Sequence, residues 1–199
     1  MKLAPHPRYR AIADVLRKHR NAALPWTGMA FRAAMLPFAR ADKLVDGKGA
    51  YLHGSHWCAP RAFRCVNLST TAKTALQESH SLAAYYGWDE AVMNPRVIVG
   101  VNLKLHHVLD LVAYSTLAQQ LALADMLAEA WRELNTAGDE SFGQALGRAA
   151  HALDAEAIVV PSAQVKGGVN IVVFPEALQE RSKIHVVGED ELNRWLKKK

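Results

Sequence analysis

The chain has 199 residues, half of them apolar, with 24 Lys and Arg against 19 Asp and Glu for a formal charge of +5. This supports one domain with a sizeable core and argues against a largely disordered chain. No run of about 18 apolar residues is present to span a membrane. No segment has the order of a secretion signal, and Cys58 and Cys65 are too few for a disulfide framework. A reduced, cytoplasmic protein is the expectation.

In chain order, residues 8–20 put Ile12, Val15 and Leu16 on one face and basic residues elsewhere, which predicts an amphipathic helix that ends before Pro25. Residues 29–35 are expected to form a short strand carrying Arg32, followed by a turn at 46–49. Residues 51–57 and 64–68 have strand length and are joined by Ala59, Pro60 and Arg61. A helix is expected from about Thr71 to residue 86. Ala75, Leu76, Ser79, Leu82, Ala83 and Tyr86 gather on one side of it, and Glu78 lies at the edge of that stripe. A carboxylate at the edge of a buried face is partly desolvated and still reaches a cavity.

Residues 96–103 predict a strand, His106 and His107 a turn, and residues 108–112 a short apolar segment. Helices are expected over 117–134, with Leu121, Ala124, Leu127 and Trp131 in register, and over 141–153. The run AIVVPSAQVKGGVNIVVFP predicts a hairpin around Gly167 and Gly168, with Ser162 just past its first strand. A strand at 184–187 and a helical turn or two at 189–196 complete the chain. Strands and helices interleave without a regular βαβ period, which favours the α+β class.

The segment from Gly47 to Glu78 reads as a binding site, because its glycines let backbone approach a ligand and accept φ > 0. Walker, GxGxxG, GxSxG and HExxH motifs are all missing from the sequence. His53, His56 and Cys58 match no usual zinc pattern, so no metal is expected. Trp26, Trp88, Trp131 and Trp195 are read as packing, and Trp57 as a pocket wall. The basic N-terminal helix and the terminal Lys197, Lys198 and Lys199 read as solvated faces. Direct nucleic-acid binding is not expected, since no stripe of aromatics interleaves with the basic residues.

Four stretches taken together resemble the RES-domain family, named for an Arg, a Glu and a Ser. They are Phe31-Arg32, GAYLHGSHW from Gly49 to Trp57, TAKTALQE from Thr71 to Glu78, and VPSAQVKGGVNIVVFP from Val160 to Pro175. Many members of that family are toxins of bacterial toxin–antitoxin pairs. The resemblance implies a fold similar to ADP-ribosyltransferases, in a RES-like domain over 29–190, with a basic helical extension at 1–28 and a basic tail at 191–199. It also implies consumption of NAD, by cleavage of the nicotinamide–ribose bond with phosphate or water or by transfer of ADP-ribose to a protein. The implied partner is a cognate antitoxin, often one with a helix-turn-helix DNA-binding domain.

Under that resemblance Glu78 would stabilise an oxocarbenium-like transition state. Arg32 would hold a phosphate or ribose through its fixed fork, and Ser162 would donate a hydrogen bond to the nicotinamide ribose or a phosphate. Tyr51, Gly54, His56, Trp57 and Asn67 would line the nucleotide site. Two departures stand out: Gly54-Ser55-His56-Trp57 replaces the family's Gly-Gly-Arg-Trp, and Asn67 replaces a tyrosine. They support an alternative, a catalytically impaired relative that binds a nucleotide or a partner protein without turnover.

Overall fold

The computed structural model describes residues 2–87, 89, 96–127 and 129–197, with the backbone alone at 82–84, 86, 125 and 126. Two long strands form its spine. β1 (Leu24–Met35) runs antiparallel to β3 (Arg96–Asp110), from Leu24 opposite Val108 to Met35 opposite Arg96. β2 (Val66–Ser69) pairs with β1 on one side and with β5 (Val169–Val173) on the other, both antiparallel. β4 (Ala157–Pro161) is antiparallel to β5 and parallel to β3, so the sheet closes on itself. β6 (Lys183–Val186) adds to β3 at Val101 opposite Val186. Closure leaves few unpaired strand edges.

The alternation of side chains along a strand divides the interior in two. Ile158, Val160 and Val172 face one core, which also holds Ile12, Leu16, Leu146 and Phe174. Ala157, Val159, Ile171 and Val173 face the other, with Leu68, Val101, Leu103 and Leu105. β4 is therefore covered on both faces, which accounts for its unbroken apolar run. Ile12 and Leu16 come from α1 (Tyr9–Lys18), which packs on α8 (Phe142–His151), so the basic helix expected at residues 1–28 contributes to the main core. Burying each of these side chains stabilises the fold by about 1.5–3 kcal/mol.

Several expected elements are corrected. Residues 51–57 are not a strand: α3 (Lys48–His53) follows α2 (Ala41–Leu44), and a tight turn leads on from it. Gly47 at φ 67° starts α3 and Gly54 at φ 78° ends it, a backbone region that costs glycine nothing. Pro25 lies inside β1, at the register shift between Leu24 and Trp26, where no ladder N–H is needed. His106 and His107 continue β3 and are not a turn. The helix expected over 117–134 is three: α5 (Ser115–Gln120), α6 (Leu123–Leu127) and α7 (Trp131–Ala137), with Ala122 at φ 53° breaking the first join. The hairpin, Ser162 just beyond β4, and α9 (Glu189–Leu196) stand where expected. Trp88 lies outside the described residues, as do the side chains of Leu82, Ala83 and Tyr86. No helix among the described residues is long and apolar enough to cross a membrane.

Candidate functional site

Glu78 sits on the second turn of α4 (Ala72–Tyr86), which packs chiefly against β1. Thr71 starts that helix by accepting the Thr74 backbone N–H at 3.1 Å. The hairpin brings two donors to Glu78: Ser162 Oγ reaches Oε1 at 2.5 Å and Asn170 Nδ2 reaches the same oxygen at 2.6 Å. Asn170 is held in turn by Ser69 Oγ, which donates to its Oδ1 at 2.7 Å. Oε2 makes no hydrogen bond among the described residues and belongs to the half-buried side chain that faces a cavity of about 580 Å³. That volume suits a small-molecule ligand.

Arg32 lines the same cavity from β1. Its Nη1 reaches the Asn67 carbonyl only at 3.4 Å, and its Nε is buried with no hydrogen-bond partner among the described residues. Burial pushes the guanidinium pKa below its ordinary value, while Cys65 and Asp46 nearby work the other way. A desolvated cation with an unused donor is a place where an anionic group gains more than it would in water. Cys65 lies beside it, with Ser55 Oγ at 3.4 Å and Asn67 Nδ2 at 3.9 Å. The Cys58 thiol, the Ser55 hydroxyl and the Arg32 charge hold the Cys65 thiol below its usual range against the effect of burial.

The wall formed by Gly54, Ser55, His56 and Trp57 is set by α8. Ser141 and Gln144 form a capping box at the start of that helix, and Gln144 Nε2 then donates to the Ser55 carbonyl at 3.0 Å. Gly143 and Gly147 let the helix backbone lie directly on this segment. A Cβ on Gly143 would come within 2.5 Å of the His56 carbonyl oxygen, and one on Gly147 would collide with that of Trp57. The His56 ring leans on Trp57 at 4.7 Å between centroids.

A second cavity of about 1050 Å³ opens from the first, sharing Arg32, Gly54, Glu78, Ser79, Trp131 and Arg132. At their junction the Arg132 guanidinium lies 4.3 Å from the Trp131 ring centroid and 5.0 Å from that of Tyr85.

Arg32, Glu78, Gly54, His56, Trp57 and Asn67 therefore meet at one cavity. Ser162 contacts Glu78 without lining the cavity. Tyr51 lines neither cavity; it sits on α3, where its carbonyl accepts the Arg61 N–H at 2.6 Å. Trp131, expected as packing, is a cavity wall. Asn170 and Ser69 were not anticipated, and the available signal was a polar residue interrupting an apolar strand. Arg132 and Tyr85 gave no local signal, since only the fold places them together.

The comparisons with known proteins bear on the family and the fold. No curated protein matches the chain. A chain of the crystal structure of the M. tuberculosis MbcT–MbcA toxin–antitoxin complex superposes with a TM-score of 0.69 at 20% identity, covering 92% of this chain and 97% of that one. The RES domain profile matches residues 29–195, spanning Arg32, Glu78, Ser162 and every cavity residue named above. The chain belongs to the RES-domain family.

Proposed function

We propose that this protein consumes NAD, cleaving the nicotinamide–ribose bond with phosphate or water or passing ADP-ribose to a protein, as the toxin of a toxin–antitoxin pair in the cytoplasm. One observation carries the reading: among the described residues Glu78 is fixed through Oε1 alone, and it faces, beside the under-solvated Arg32, a cavity of ligand size. Cleavage of the bond leaves positive charge on the ribose, and a carboxylate already oriented towards it stabilises that charge without reorganisation. Arg32 supplies the complementary charge for a phosphate. The partner would be an antitoxin protein that covers the cavity, with a helix-turn-helix DNA-binding domain as the family resemblance implies. The superposed chain's origin in a toxin–antitoxin complex supports this assignment.

The test is incubation of the purified protein with NAD, with and without phosphate, following nicotinamide release, and with an ADP-ribose tracer and a cell lysate. Nicotinamide release or protein labelling is expected. Neither under any condition overturns the proposal. The second reading, a binder without turnover, is favoured by His56 leaning on Trp57 and by Asn67 offering no ring for stacking. It requires that Glu78→Gln leave any growth phenotype intact.

A further inference from the structure

We infer that Ser162 is a positioning residue that acts through Glu78 and does not touch the ligand, with the Ser69–Asn170 pair as a second arm of the same device. The inference rests on the proposed reading of Glu78 and assigns roles around it.

A serine hydroxyl has one proton to donate and two lone pairs to accept with. In Ser162 all three are engaged. Its Oγ accepts the backbone N–H groups of Gln164 at 3.1 Å and Val165 at 2.9 Å, and donates its proton to Glu78 Oε1. The loop that closes this arrangement is itself pinned, since the Ser162 N–H donates to the Gly168 carbonyl at 2.8 Å. Gly168 must be glycine for that closure, because a Cβ there would lie 3.0 Å from Ser162 Cβ and 2.9 Å from Val165 Cβ. Ser162 is 7% exposed and forms no part of the cavity wall. No capacity is left on it for a ribose or phosphate.

The second arm has the same logic. Ser69 Oγ donates to Asn170 Oδ1, which fixes the direction of the amide and sends an Nδ2 proton to Glu78 Oε1. Two converging donors from different elements hold one carboxylate oxygen, and the remaining oxygen is left for the cavity. Positioning of this kind affects the chemical step more than ground-state binding, because a reacting group displaced by about 1 Å loses on the order of 10²-fold in rate.

The experiment compares wild type, Ser162→Ala, Glu78→Gln and the double variant, after thermal melts confirm folding. Ser162→Ala is expected to lower kcat for NAD consumption by about 10- to 100-fold with KM changed by less than about two-fold. In the Glu78→Gln background the same change is expected to leave NAD affinity, measured calorimetrically, unaltered. A rise in KM with kcat retained, or about tenfold weaker binding in that background, overturns the inference. Where Ser162→Ala fails to fold, Ser69→Ala serves instead: a smaller kcat loss at unchanged KM supports the device, and no kcat loss overturns it. If wild type consumes no NAD, the proposed function falls, and the inference is then read from a crystal structure of Ser162→Ala. A Glu78 carboxylate that has left its place upholds it, and one that has not moved overturns it.

Discussion

A carboxylate lies at each end of β4, Glu156 just before the strand and Glu78 across from Ser162 just after it, and the two differ in what their oxygens face. Glu156 is wholly buried, and both its oxygens are taken by main chain: Oε2 by the N–H groups of His106 and His107, Oε1 by that of Gln179 at 2.7 Å. Burial works against its charge, yet the neighbouring Ser182 hydroxyl together with these N–H groups outweighs burial and holds its pKa below the ordinary value of 4.5. Glu78 is half-buried, and among the described residues side chains hold it by one oxygen only. A carboxylate satisfied on both oxygens by backbone ties strands together and has no face left for chemistry. One held on a single oxygen is oriented and still available.

The contrast can be broken most directly at Glu78. Glu78→Gln should lower NAD consumption by about 10³-fold, roughly 4 kcal/mol of transition-state stabilisation, with the melting temperature unchanged. A large loss of stability instead would make Glu78 a second Glu156. The converse substitution, Glu156→Ala, leaves the N–H groups of His106, His107 and Gln179 without this acceptor and should cost about 3 kcal/mol in urea unfolding. Its effect on turnover per folded molecule should be small. The charge of Glu156 also fixes a pH window. Because its folded pKa is depressed, its stabilisation is complete above the unfolded value and is lost as pH falls through the folded one. Melts between pH 6 and pH 3 should therefore show a shallower acid decline in Glu156→Gln than in wild type. Smallest, and confined to the anion side, Arg32→Lys keeps the charge and loses the fork. It should raise KM for NAD by about tenfold with little change in kcat.

These differences were unevenly legible in the sequence. The hairpin that carries Ser162 and Asn170 could be read because two β-rich runs flank Gly167 and Gly168, and α9 because acidic residues open it. The segment before the wall could not. Six residues of α3 are too few to show a helical period, and what starts and stops the helix is a pair of glycines at positive φ. β3 was cut short at His106 because a histidine pair resembles a polar turn, yet Glu156, fifty residues on, receives both N–H groups there. Arg32, Glu78 and Ser162 were singled out through the order of motifs. Asn170, Ser69 and Arg132 depend on which strands and helices become neighbours, and spacing along the chain does not encode that.

The contact between α8 and the segment 55–57 has a consequence for how this site can diverge. Gly143 and Gly147 set main chain against that wall, and the His56 ring also lies against Gly143, its Cδ2 2.8 Å from where a Cβ would stand. Replacing the histidine leaves the main-chain contact at Gly147 in place, whereas enlarging either glycine drives the helix and the wall apart. The position of this wall thus depends on two glycines of a neighbouring helix as well as on its own residues.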